Sequence, residues 1–400
     1  MAERTVYADW AATAKPSKRA LEAAMPYLTD SFGNAGAVYS LGRASAKALH
    51  EARRNTAALL GADIGEIFFT SGGTESDNLA VKGAAELGAA MGKRHIVTTA
   101  FEHHAVLNTC KYLESRGVEV TYLRPDSRGM ISAGQVAEAI REDTALVSMM
   151  YVNNEIGTIQ PVAEAAAICR SRGVLFHTDA VQAAGHLPID IKALGADLLS
   201  VSGHKFGAFK GIGALYVREG VKLPSLIHGG GQESGLRAGT ENVAGAVSLS
   251  EALAESLEDI EAKNTRILSL RERIIDGLLA VPESRLNGDR KCRAAGNINV
   301  SFLGIEGESL LLMLDINGVR ASSGSACTSF SAEPSHVLTS IGVHPELAKG
   351  SLRLTIGSDT TEADADYIVR VTSKAVAELR SMSPFWQRIV SEGRHIDDLR

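Results

Sequence analysis

Cysteine is scarce in this chain: four in 400 residues, at Cys110, Cys169, Cys292 and Cys327. No two form a CxxC pair, which excludes the usual zinc spacing, and their wide separation offers no disulfide framework. Reduced thiols and a cytoplasmic setting are the expectation. A membrane-spanning helix needs about 18 consecutive apolar residues, and no run comes near that length. The opening stretch, Met1-Ala2-Glu3-Arg4-Thr5-Val6-Tyr7, lacks the apolar core of a secretory signal. Charge excess is missing too. A net charge of −6 gives no basic surface for nucleic acid or an anionic membrane. Internal repeats and low-complexity tracts are absent.

What remains is an alternation of short apolar runs and helical patterns. Ile67–Thr70, His95–Thr99, Val118–Leu123, Thr144–Val152, Val174–Thr178, Leu198–Ser202 and Ala214–Val217 read as strands. Helical segments between them predict βαβ units, hence a mostly parallel sheet covered on both faces. Ser17 can cap a helix running to about Tyr27, and Gly61 closes one begun at Ser40. Glu251 to about Leu279 reads as one long connecting helix. Beyond it come a strand (297–302), helices (307–314, 334–341 and 363–379), a strand (351–356) and a polar tail from Ser383 expected to be loosely held. This is an α/β chain with a second, smaller α+β portion.

Chemistry-bearing residues collect where the strands end, which is where α/β sheets bind ligands. Ser71-Gly72-Gly73-Thr74-Glu75-Ser76 leads into a helix and suits an anion at its N-terminus. Glu102-His103-His104 and Asn153-Asn154-Glu155 follow two further strands. Asp179 ends another, with Gln182 three residues on; a buried carboxylate there needs a partner, and a protonated pyridine nitrogen is a suitable one. Ser202-Gly203-His204-Lys205 supplies an amine 26 positions after Asp179, suited to a Schiff base with an aldehyde cofactor. Arg237 and Thr240, near the Gly229-Gly230-Gly231 turn, add a guanidinium and a hydroxyl for a phosphate. Cys327 stands in a small, polar loop with no hydrophobes to bury it, so an accessible, mobile thiol is expected. Cys110 and Cys169 read as core residues, and Cys292 has no assigned role.

Taken jointly, these motifs and Arg237-Ala238-Gly239-Thr240-Glu241-Asn242 resemble, over nearly the whole chain, the cysteine desulfurases of the NifS/IscS type, class-V aminotransferases within the fold-type I pyridoxal phosphate enzymes. The resemblance implies a large cofactor-binding domain at 14–257 and a small domain formed by 1–13 and 258–400. It implies pyridoxal 5'-phosphate as cofactor, with His103 stacked on its ring, Asp179 on the ring nitrogen and Gln182 on the ring hydroxyl. Gly73, Thr74, Ser202, His204 and a Thr240 from the neighbouring subunit of a homodimer would hold the phosphate. Lys205, Cys327 and His103 would be catalytic, and Asn154 and Arg353 would bind the substrate carboxylate. The implied activity converts L-cysteine to L-alanine. Its sulfur would pass as a persulfide on Cys327 to an acceptor such as an iron–sulfur scaffold protein. A selenocysteine lyase or another enzyme of the same fold, and a catalytically silent assembly partner, are the alternatives. Departures from the family pattern fall at Trp10, Ala12-Thr13-Ala14, Gly33-Asn34-Ala35-Gly36-Ala37-Val38-Tyr39 and Ala208-Phe209-Lys210-Gly211.

Overall fold

Buried β-branched and leucine-rich runs, bounded by glycine turns, set up the architecture. The computed structural model describes residues 4–323, 334–393 and 395–399. In chain order its strands are β1 (Val6–Tyr7), β2 (Ile67–Thr70), β3 (His95–Thr99), β4 (Glu119–Leu123), β5 (Thr144–Ser148), β6 (Leu175–Asp179), β7 (Leu198–Ser202), β8 (Gly213–Val217), β9 (Ser284–Leu286), β10 (Asn297–Phe302), β11 (Val319–Arg320) and β12 (Ser351–Thr355). A seven-stranded sheet has the order β2-β8-β7-β6-β5-β3-β4. The pairs from β7 through β4 are parallel, and β8 runs antiparallel to both β7 and β2. Every residue of β3, β5, β7 and β8 is buried, as expected for strands covered on both faces. The carboxyl ends of β3, β5, β6 and β7 therefore open on one edge.

Helices Gly73–Ala90 and His104–Glu114 pack together on this sheet, while Lys18–Ala24 and Ser40–Leu60 pack on Val243–Leu257. The smaller portion has an antiparallel sheet, β12-β10-β9, under helices Ile260–Leu279 and Glu362–Met382. The N-terminal β1 pairs in parallel with β11, tying the start of the chain to this portion. Val337, Leu338, Ile341, Val343 and Leu347 sit in the same hydrophobic core as Val147 and Val201 of the large sheet. Among the described residues, no helix is long and apolar enough to cross a membrane.

Several boundaries differ from the sequence reading. The strand expected over Thr144–Val152 ends at Ser148, and Val152 instead bridges Ile159 across a turn. The helix from Ser17 breaks at Met25, because Pro26 opens a second short helix, Pro26–Thr29. The single connecting helix is two, ending at Leu257 and restarting at Ile260, with Asp259 at φ 50° between them. The tail from Ser383 is not loose. Ser383 caps a helix, Pro384–Ser391, Ile389 and Leu399 are buried, and Arg380 lies 4.1 Å over the Trp386 ring.

Candidate active site

Asp179 ends β6 and Ser200 stands opposite it on β7, so the turn that follows β7 brings Lys205 to the neighbouring strand end. Lys205 Nζ donates to the carbonyls of Ala11 at 2.6 Å and Ala12 at 3.0 Å. Gln182 Nε2 donates to the same Ala11 carbonyl at 2.9 Å. The small residues 11–14 thus form a strap across the strand ends. Ala14 N–H donates to the His204 carbonyl at 2.8 Å, and Thr13 Oγ1 lies 3.2 Å from His204 Nδ1.

Asp179 is buried, and its Oδ1 accepts from the Val181 N–H at 2.9 Å. Burial pushes its carboxyl up to about 6, opposed by that hydrogen bond and by Lys205. Two more carboxyls lie within its electrostatic reach. Burial first, then the charge of Asp179, raises Asp77 well above its usual range, and burial raises Glu102 to about 8. His177 sits in the same buried layer. Its Nδ1 is 2.8 Å from Ser148 Oγ, its Nε2 3.0 Å from Ser200 Oγ and 3.6 Å from Asp77 Oδ1, and burial lowers it to about 3. His103 caps helix His104–Glu114, its Nδ1 accepting from the Ala105 N–H at 3.1 Å. Burial, then Lys205 and the neighbouring His104 and His336, bring it down to about 4. At neutral pH its ring is therefore uncharged, with the proton on Nε2.

Beside these groups is a cradle built for an anion. Helix Gly73–Ala90 begins at a glycine pair, with Gly72 at φ 153°. A Cβ at Gly73 would stand 2.6 Å from the Val181 side chain, so glycine lets the helix N-terminus approach the turn after β6 this closely. Thr74 is exposed at this N-terminus, Ser202 is buried beneath it, and burial with Lys205 and Lys210 lowers His204 to about 4. The Arg237 guanidinium pairs with Glu75 at 2.8 Å and braces the helix start. Thr240 is exposed on the following loop.

Arg353 reaches from β12 towards Asp9, just ahead of the strap. Its Nη1 donates to the Asn154 carbonyl at 3.1 Å, and its Nη2 pairs with Asp9 Oδ1 at 2.9 Å. Cys327 lies outside the described residues. The chain after it is anchored by Ser335, whose hydroxyl donates to Glu155 Oε2 at 2.5 Å, and by His336, whose Nε2 donates to the Glu102 carbonyl at 3.0 Å. The His336 ring is 4.8 Å from that of His104. Cys110 and Cys169 are buried and their thiols are pushed up to about 12, mainly by burial; Cys292 is exposed. Asp9, Asp77, Glu102, Glu155 and Ser335 had no role in the sequence reading. The available signal was an acid closing an apolar strand or standing inside a motif chosen for its other members.

A family model described as aminotransferase class-V matches residues 6–368. A curated "Cysteine desulfurase IscS" of Methanosarcina thermophila is 52% identical over 381 residues, covering 95% of this chain and 94% of that protein. A solved structure titled as a NifS-like protein superposes with a TM-score of 0.88 at 35% identity, covering 94% of this chain and all of that one. Another, titled as SspA in complex with cysteine, gives 0.79 at 38% identity over 89% of this chain and 100% of its own.

Proposed function

The chain belongs to the class-V aminotransferase family and is a pyridoxal phosphate-dependent cysteine desulfurase, and on that premise we propose that Lys205, His103 and Cys327 carry its catalysis. The residues present fit the cofactor. The glycine cradle leaves backbone N–H groups of an 18-residue helix open to a phosphate, with Thr74, Ser202 and His204 around it. Thr240, supplied across a homodimer interface, completes that set. Asp179 would pair with the ring nitrogen, Gln182 with the ring hydroxyl, and His103, being uncharged, would lie on the ring face. When bound, pyridoxal phosphate supplies the electron sink for charge released at the substrate Cα.

The chain's own groups do the rest. Arg353 and Asn154 hold the carboxylate of L-cysteine. Lys205 Nζ takes the Cα proton. The Cys327 thiolate attacks the substrate sulfur, the Cβ–S bond breaks and its electron pair stays on Cβ, which gains a proton; Lys205 Nζ then returns a proton to Cα, and the product leaves as L-alanine. The sulfur remains on Cys327 as a persulfide for an acceptor protein, and we assign that transfer to iron–sulfur cluster assembly in the cytoplasm, where thiols stay reduced. Residues 14–257 would serve as the cofactor-binding domain, and 1–13 with 258–400 as the smaller one, so substrate bridges them through Arg353.

The observation that carries this reading is the meeting of a buried carboxyl, an amine and a glycine cradle at adjacent strand ends of one sheet. Lys205→Ala, reconstituted with the cofactor, should lack its visible absorbance band. Cys327→Ala should keep the band and lose alanine release by about a hundredfold or more. Wild-type alanine release from Cys327→Ala rejects the persulfide role.

A further inference from the structure

Among the described residues, the Arg353 guanidinium donates to acceptors from distant parts of the chain, the Asn154 carbonyl and the Asp9 carboxylate. Asp9 is itself fixed by the strand that carries the arginine. Thr355 N–H donates to the Ala8 carbonyl at 2.8 Å, Trp10 N–H donates to the Thr355 carbonyl at 3.2 Å, and Ala11 N–H donates to Thr355 Oγ1 at 2.8 Å. Arg353 and Thr355 are two apart on β12 and so share a face. The Asp9 carbonyl accepts from the Ala12 N–H at 3.0 Å and from the Tyr7 hydroxyl at 3.1 Å. The Trp10 ring packs so closely on Gly357 that a Cβ there would come within 2.4 Å of it. With its backbone tied in this way, Asp9 has only its own side-chain rotation left to lose on pairing with the guanidinium.

We infer that Asp9 is a positioning residue for substrate recognition: it orients Arg353 and cancels part of its charge, so that an α-amino acid carboxylate is held in place and still released as product. The inference rests on the reading that Arg353 takes the substrate carboxylate. A buried guanidinium with no counter-charge would grip the carboxylate of alanine as firmly as that of cysteine. Among the described residues, the carboxylate paired with it is that of Asp9. Glu155 also feels Arg353, but its carboxyl is committed to Ser335.

Titrating the holoenzyme with L-alanine and following the cofactor's absorption gives a Kd without turnover. Asp9→Asn keeps an oxygen acceptor for Nη2 and removes the charge, so its Kd should fall about three- to tenfold. Asp9→Ala removes the acceptor as well and should bind alanine more weakly than wild type, while Asp9→Glu should stay close to wild type. Ethylamine, which is alanine without its carboxylate, should bind all of them alike. An Asp9→Asn Kd at or above the wild-type value overturns the inference, and so does an equal change with ethylamine. Should Asp9→Asn fail to fold, Asp9→Ser makes the same comparison of a neutral acceptor. Arg353→Gln separates the two readings. Wild-type alanine affinity there rejects Arg353 as the carboxylate site, whereas lost affinity beside an unchanged Asp9→Asn rejects only the role of Asp9.

Discussion

Glu102 has one oxygen bonded twice and the other not at all. Oε1 accepts from Thr99 Oγ1 at 2.7 Å and the Met150 N–H at 2.9 Å, while Oε2, also buried, has no partner among the described residues. Burial raises its folded pKa to about 8, from about 4.3 in an unfolded chain. The folded state therefore holds this proton more tightly. Below pH of about 4 both states are protonated and the group is neutral in its effect; as pH climbs towards 8 the unfolded chain ionises freely, and stability falls. Glu102→Gln should remove that slope. By urea unfolding, its stability relative to wild type should improve by about 3–4 kcal/mol between pH 5 and pH 8. A difference that does not vary with pH would show that Glu102 ionises as an ordinary carboxyl. This group was visible in the sequence only as a neighbour of His103. Asp179 and Lys205 were legible because each stands at the end of an apolar run. Asp9 was not, because its partner is 344 positions away and strand pairing, not spacing, joins them.

The short helix His336–Ser340 shows what one cap can do for a longer stretch of chain. Ser335 Oγ accepts from the N–H groups of Val337 at 3.1 Å and Leu338 at 3.3 Å while donating to Glu155. Glu155 in turn offers its backbone carbonyl to Asn297 and Asn299, both at 3.1 Å, so the cap is joined to β10 as well. Ser335→Ala removes the cap and leaves a buried carboxyl oxygen without its donor, a loss of about 1–3 kcal/mol. The check is thermal or urea unfolding, with Ser335→Thr recovering most of the loss; equal losses in both variants would assign the effect to packing alone. Helix types and the parallel sheet were readable from periodicity and glycine turns. The break at Asp259 was not, because a helical pattern continues across it; Pro26 did signal the break at Met25, but the apolar face from Leu21 to Leu28 runs on past it, and the helix in the tail was hidden by its polar composition. Its burial depends on contacts with Arg380 and the main core that no local pattern announces.

At the scale of the whole molecule the chain exposes apolar surface that a lone subunit has no use for. Met25, Leu28, Phe32, Val38 and Tyr39 are exposed, Phe32 at 68% and Val38 at 87% of their full area, within one stretch of sequence. The helices flanking that stretch pack on Val243–Leu257, which follows the loop carrying Thr240. A patch of this kind on a chain with a net charge of only −6 favours association over solubility. The homodimer proposed above would cover it and, in the same step, would bring Thr240 to the neighbouring subunit's phosphate cradle. Phe32→Asp combined with Val38→Asp should place two charges in that interface and shift the protein from dimer to monomer in sedimentation at micromolar concentration. On this proposal each monomer site would lack the neighbour's Thr240 hydroxyl, so the monomer should also bind pyridoxal phosphate more weakly, and Thr240→Ala should reproduce the weaker binding while leaving the dimer intact. A double variant that stays dimeric moves the interface elsewhere on the surface. A monomer that binds the cofactor as tightly as wild type separates dimerisation from the completeness of the site.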